Sequence, residues 1–497
     1  MSWNLVTCET DTQVNSYYYD HQPLDAVAFD KVPDGWVSLH PVEGRAASNY
    51  VAYGGGGELI TYVWATDDSP NKLIDDNQNF TSFVEEGVTV VNTEDYYNCT
   101  YAKVVEVIDD TTLELDADIM DDGDEYEIRS HKVYIRRTSD WGLETVLNDP
   151  NDTVTSIDWS PDAGLLAVGS ADGNVYTYYY NGFNLNEVYT ESDDEINVVE
   201  FCDTDPYNDT PNLVTGDDSG NLRNYRPYYA NPLTQTLETG AWDTYDISAT
   251  TRLEDWTKYI WVADSDEANC YQYDQGSYTW EADWTHDFWG GGVECVDTKY
   301  VLQSEYVNAT GMIMSAYNTW EDDRYGGSLR VDWGDWDFEE FDSEWDAGWP
   351  DDSIVDTKLS WDARFAAFAG YDAVYIHNAR SNDHSRTATI DGPEFSSISA
   401  IDFSYKDNWF AVAGYNGELY IYEVPRKDLY IKAETASGTE ELNVEQLKNT
   451  WDDNDYPVRL QVDEKMCGAD TIDPGDAGDS GVRIQVESDT TKSWKVH

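Results

Sequence analysis

The sequence predicts an all-β protein built from repeated small sheets, and three observations carry that prediction. First, three stretches align strand for strand: Val154 to Tyr180 (VTSIDWSPDAGLLAVGSADGNVYTYYY), Ile196 to Arg226 (INVVEFCDTDPYNDTPNLVTGDDSGNLRNYR) and Ile398 to Val424 (ISAIDFSYKDNWFAVAGYNGELYIYEV). Second, each passes from an alternating strand, ending near Trp159, Phe201 or Phe403, through a strand of small residues into a glycine-centred turn. The turns fall at Asp172-Gly173-Asn174, Ser219-Gly220-Asn221 and Asn416-Gly417, where glycine supplies the positive φ that a tight hairpin needs. Third, the step from Val154 to Ile196 is 42 residues, a length that suits one four-stranded unit.

Weaker copies begin near Ala26, Ile247, Val293 and Ile354, the last reading IVDTKLSWDARFAAFAGYDAVYIHN. Seven copies predict a seven-bladed β-propeller. The pattern resembles WD-repeat propellers in the Asp158-Trp159-Ser160-Pro161-Asp162 stretch and in the Ala-Val-Gly-Ser-Ala-Asp-Gly run ending at Gly173. The family's Gly-His and closing Trp-Asp dipeptides are missing, which puts its His-centred polar network in doubt for these blades. Trp3 to Glu9 reads as an outer strand preceding the first inner strand, so it is expected to complete the last blade and remove an exposed edge.

The expected division is a propeller over 1–66 and 132–424, an inserted small β-module over 67–131, and a C-terminal docking or anchoring module over 425–497. Leu59 to Trp64 and Lys132 to Ile135 would flank the insertion as parts of the opening blade. The insertion reads NFTSFVEEGVTVVNTEDYYNCTYAKVVEVIDDTTLELDADIMDDGDEYEI and resembles a small β-module of virion proteins from tailed viruses. The C-terminal module is expected to be α+β or β, with a helix over Glu440 to Trp451 and strands at Val458 to Val462 and Val482 to Val486.

Composition sets the environment. Asp and Glu number 99 against 29 Lys and Arg, a net charge of -70, yet the chain holds 20 Trp, 37 Tyr and 13 Phe. Disordered acidic chains are poor in aromatics, so this one folds. A compact state tolerates that self-repulsion best where molar salt shortens the Debye length to about 3 Å. Such acidic surfaces resemble haloarchaeal proteins and those of their viruses. The same charge excludes nucleic acid as a partner, because phosphate would be repelled and no basic stripe exists. No signal peptide, membrane-spanning run or lipidation motif is readable, so membrane insertion is not expected. Six widely spaced cysteines suggest neither a disulfide framework nor a zinc site.

Candidate chemistry is sparse. Asp116, Asp118, Asp121, Asp122 and Asp124 crowd one turn whose oxygens suit structural Ca²⁺ or Mg²⁺, although the spacing misses the EF-hand loop. No cofactor is expected beyond such an ion and K⁺ or Na⁺ at the acidic surface. Trp333, Trp336, Trp345 and Trp349 sit among acids in WGDWDFEEFDSEWDAGW and form a candidate binding surface, since exposed aromatics give rigid stacking area at low entropy cost. Strand-spaced core packing is the other reading of that cluster. Gly478-Asp479-Ser480-Gly481 is similar to the nucleophile motif of trypsin-like proteases, but no histidine segment accompanies it. Thr138 to Gly142 resembles a single Asp-box turn of sialidase propellers, whose arginine cluster is missing.

These readings predict a non-enzymatic structural and host-surface-binding protein of a halophilic archaeal virus particle. It would be made in the host cytoplasm and displayed on capsid or tail as a pentamer or hexamer. Its partners would be other virion proteins and a host surface protein or glycan. The alternatives are an intracellular WD-repeat-like interaction scaffold and a glycan-processing propeller enzyme.

Overall fold

The computed structural model describes residues 4–10, 24–31, 48–56, 58–67, 69–93, 100–162, 164–192, 194–202 and 211–239. Beyond 243 it describes the strands and their immediate flanks up to 443, with 483–486 and 492–495. The chain divides into two compact units, Met1–Val424 and Pro425–His497.

Among the described residues the first unit is β apart from one 3-10 turn at Phe80–Ser82, and it carries seven four-stranded antiparallel sheets in sequence order. The second sheet shows the plan: Val154–Trp159, Leu165–Ser170, Val175–Tyr179 and Leu185–Tyr189, each paired with the next. The inner strands of the seven sheets are Leu24–Phe29, Val154–Trp159, Ile196–Phe201, Thr244–Arg252, Val293–Val301, Ile354–Leu359 and Ile398–Phe403. Each adjoins the next, and Ile398–Phe403 adjoins Leu24–Phe29. The result is the β-propeller arrangement, with inner strands around an axis.

Burial follows position in the sheet. Leu165–Ser170 and Phe365–Gly370 are buried throughout, because both of their faces meet neighbouring sheets. The outer strand Leu185–Tyr189 instead alternates between exposed and half-covered positions before it ends at the buried Tyr189. Small residues in the second strands are needed for close sheet packing. A Cβ on Gly169 would lie 2.9 Å from Ile196 Cγ2, and one on Gly216 would lie within contact distance of the Thr244 methyl. Gly169 pairs with Ser156 and Gly216 with Val198, so the first side chain of each following inner strand fills the space left there. The apolar cores lie between sheets, as in the cluster of Ala26, Ala28, Val133 and Ile135 with Ile157, Trp159 and Tyr178. The hairpin glycines adopt the expected left-handed backbone, with φ of 79° at Gly173, 70° at Gly220 and 76° at Gly417.

The seventh sheet takes its outer strand from the other end of the chain. Asn4–Thr10 pairs antiparallel with Glu418–Glu423, Leu5 facing Tyr422 and Cys8 facing Tyr420.

One boundary differs from the sequence reading. The inserted module begins at Glu58, because Glu58–Trp64 belongs to a six-stranded sheet and pairs with Glu125–Ser130. Ile60 and Val63 pack on that module's own core of Leu73, Phe80, Val90, Leu113 and Tyr126, so they cannot also serve the blade. Tyr50–Gly55 pairs directly with Val133–Arg137 in the first sheet.

The second unit contains a four-stranded sheet ordered Gly438–Asn443, Tyr430–Thr435, Arg483–Val486 and Lys492–Lys495. Glu440 to Asn443, expected to open a helix, lie instead on a strand whose backbone is paired with Tyr430–Thr435. Ladder pairing overrides the helical preference of the two glutamates. The rest of that expected helix and Val458 to Val462 lie outside the described residues.

Candidate functional site

The inner strands share one register. In all seven the pairing slips after the first residue, as at Val154 and Ser156 or Ile398 and Ala400, which leaves the second position bulged. A bulge re-aims the side chains on either side of it. Here it turns polar side chains from one inner strand onto the backbone of the next.

The pattern has two parts. From the bulged second position, Asn197 donates to Thr244 O at 3.1 Å, and the Thr155 and Ser399 hydroxyls donate to Ile196 O and Leu24 O. From the third and fifth positions, side-chain oxygens accept backbone N–H groups of the following strand. Asp158 accepts from Phe201 at 2.7 Å, Asp246 from Val296 at 2.9 Å and Asp297 from Leu359 at 2.6 Å. Asp356 accepts from Ile401 at 2.8 Å and Asp402 from Phe29 at 2.6 Å. Ser156 and Ser248 accept in the same way from Val199 and Thr298. Carboxylate acceptors make the stronger bonds of this kind.

These carboxylates meet two lysines. Lys31 lies 2.8 Å from Asp158 and 3.4 Å from Glu200, joining the first three sheets. Lys358 occupies the fifth position of the sixth inner strand, 3.8 Å from Asp356 Oδ1. Burial alone would lower its pKa, but Asp356, Asp246, Asp297 and Asp402 hold its ammonium well above the ordinary lysine range. Burial pushes the Asp246 carboxyl up to about 7, only partly offset by Lys358, and raises Asp356 as well. The Lys358 side chain still keeps 29% of its surface open to water. Chemically the axis is a rigid polar seam whose acceptors are engaged by backbone donors.

The acidic turn of the inserted module is used in a similar manner. Asp116 accepts from Lys103 N at 2.7 Å, Asp118 from Asn71 N at 2.9 Å, and Asp124 from Asp121 N at 2.8 Å and Asn92 Nδ2 at 2.7 Å. Asp121 and Asp122 share this turn. Among the described residues no three His, Cys, Asp or Glu side chains are placed to hold a metal ion. Trp333, Trp336, Trp345 and Trp349 lie outside the described residues, as does Gly478 to Gly481. In the Thr138 to Gly142 stretch, Asp140 accepts from Gly142 N at 3.0 Å and pairs with Arg137, a hairpin support.

Exposed aromatics gather elsewhere. Tyr179, Tyr228 and Tyr229 are exposed around the second and third sheets, with the Tyr228 hydroxyl donating to Asp162 at 3.0 Å and Arg226 lying 3.8 Å over the Tyr229 ring. On the inserted module Tyr62 and Trp64 stand exposed with ring centroids 6.2 Å apart. The sequence reading missed the axial seam, although Ile-Asp-Trp at Trp159 and Ile-Asp-Phe at Phe403 repeat its fifth-position acid.

Comparison with known families matches the model described as WD domain, G-beta repeat, at residues 141–178 and 384–423. Each match covers the outer strand of one sheet and three strands of the next, such as Arg386–Asp391 followed by the Ile398–Glu423 strands. No curated protein matches. Among solved structures the chain is similar to one from the crystal structure of a mitotic checkpoint complex, at 12% identity and a TM-score of 0.45, covering 66% of this chain and 86% of that one. By its own sheets the first unit is a propeller-like β domain, and the WD-repeat model matches it at two places, each spanning parts of two neighbouring sheets.

Proposed function

We propose that this chain is a non-enzymatic binding and structural protein whose seven sheets close as seven blades, displayed in repeated copies on a virus particle that infects a halophilic archaeon. The axial seam carries this reading: polar groups that could have served catalysis are engaged in fastening one inner strand to the next. A propeller stiffened in this way presents its loops and its inserted module as a fixed platform, and contact energy then comes from exposed aromatics. The net charge of -70 supports a particle working in molar salt, where charge recognition is screened and aromatic contact is not. Repetition on a particle would multiply weak host contacts.

Electron cryo-microscopy of particles from the native source tests the reading. Symmetric density for this chain on capsid or tail is expected. Finding the chain only in host cytoplasm would overturn the virion role and favour the second reading, an intracellular interaction scaffold, which the WD40 repeats support. The saline habitat is tested separately by circular dichroism during dialysis to low salt. Loss of the β signal is expected there, and an unchanged spectrum contradicts the premise.

A further inference from the structure

We infer that the joint between the inserted module and the propeller is an acid-sensitive hinge, held shut by the neutral ring of His131 and released when that ring takes up a proton. The module is a body of its own. Its core of Leu73, Phe80, Val90, Leu113 and Tyr126 contains no propeller side chain, and its strands pack on one another. Two links join it to the first sheet. Tyr50–Gly55 leads in through Gly56, and Glu125–Ser130 leads out through His131 and Lys132 into Val133–Arg137. A body with a separate core on two links moves as a unit once the contacts at its joint are lost.

The links lie side by side. A Cβ on Gly54 would come within 2.8 Å of Lys132 O, so glycine lets the ingoing strand pass the outgoing link this closely. The ties from module to propeller are polar. The Tyr101 hydroxyl donates to Asp152 at 2.6 Å. The Lys103 ammonium donates to Asn148 O at 2.8 Å and Pro150 O at 2.7 Å, in the stretch between the first sheet and the second. On the entry side Gly56 N donates to the Asp25 carboxylate at 2.9 Å.

His131 is the member of this joint that acid attacks. It is 2% exposed, and among the described residues neither ring nitrogen meets a hydrogen-bond partner. Such a ring stays neutral, because ionised it would be a charge without water or counter-ion. Burial pushes its pKa from 6.5 down to about 3, and the charged groups beside it, Lys103 and Arg129, are both cations that add to the effect. The acids behind them are already answered: Asp149, Asp172 and Asp116 support the Lys103 ammonium, and Glu127 pairs with Arg129. Below pH 6.5 an opened joint, in which the ring meets water, therefore binds a proton that the closed joint refuses. Asp25 acts with the opposite sign. Burial raises its carboxyl to about 6, and once protonated it still keeps an oxygen for Gly56 N. The entry link thus holds as the pivot while the exit link opens.

This inference goes beyond the proposed function and is read on the purified full chain, so it survives or fails independently of where a particle carries the protein. Hydrogen exchange followed by mass spectrometry, in molar KCl and corrected for the intrinsic pH dependence of amide exchange, compares pH 7.5 with pH 4.5. In the parent, peptides covering residues 100–104 and 130–133 should lose protection at pH 4.5 while Leu165–Ser170 keeps it. His131→Phe retains a ring that cannot take up a proton, and its joint should stay closed, with the parent's loss exceeding the variant's by about a hundredfold. His131→Gln, also unable to ionise, decides the matter if the phenylalanine variant misfolds. A parent whose joint is as protected at pH 4.5 as at pH 7.5 overturns the inference. So does an equal loss in the folded variants, or a loss spread evenly over all seven sheets.

Discussion

The Asp402 carboxylate accepts the backbone N–H of Phe29 at 2.6 Å, joining the last inner strand to the first across 373 residues of sequence. Phe29 is buried, so its N–H has no ready substitute in water. Asp402→Ala should therefore cost about 2 kcal/mol, while Asp402→Asn, which keeps an acceptor, should cost less than half as much. Denaturant titration measures the loss, and faster hydrogen exchange at the Phe29 amide locates it at the closing seam. Equal stability of the alanine variant and the parent would remove Asp402 from the closure.

Asp246 gives a prediction of opposite sign. Its carboxyl is raised from 3.8 to about 7 in the folded state, chiefly by burial. The folded chain thus holds this proton more tightly than the unfolded chain. Its contribution to stability is fully present below pH 4 and is lost as pH rises through 7. An asparagine amide still accepts from Val296 N and never ionises. Asp246→Asn should be more stable than the parent at pH 8 by about 1 kcal/mol, with the gap closing at pH 5. Denaturant midpoints at the two pH values check this, and a less stable variant at pH 8 refutes it.

Lys358 balances the same group of acids. Replacing it with methionine leaves Asp356, Asp246, Asp297 and Asp402 without their shared ammonium. At pH 8 the loss should be about 3 kcal/mol. It should shrink on acidification to pH 5, because Asp246, already raised to about 7 by burial, then takes up a proton. A loss independent of pH would mean that packing, and not charge, is what Lys358 supplies.

The strand Asn4–Thr10 closes the seventh sheet by pairing with Glu418–Glu423. Deleting residues 1–10 should expose that strand as an edge and lower the melting temperature, with light scattering rising as copies pair there. A synthetic peptide of residues 1–10 added in trans should restore both. Unchanged melting after the deletion would show that the seam between the inner strands is sufficient by itself.

Much of this architecture is local in origin and so could be read along the chain. Strand alternation, the small-residue second strands and the glycines at 173, 220 and 417 are properties of neighbouring residues, and each blade repeats them because each faces the same packing problem. Boundaries were less legible where a strand had two possible partners. Leu59 to Trp64 has the pattern of a blade strand and of a module strand alike, and only the pairing with Glu125–Ser130 chose between them. Glu440 to Asn443 has helical composition, and a neighbouring strand claimed it.

The sequence by itself determined the class of fold, the repeat and the charge, since these depend on residue type and short spacing. The tertiary structure decided which of 99 acids do something specific. Asp158, Asp246, Asp297, Asp356 and Asp402 look like any other acids in a chain so rich in them. They become a seam because a bulge in each inner strand aims them at the next strand's N–H groups, and that aim depends on contacts formed between residues tens to hundreds of positions apart.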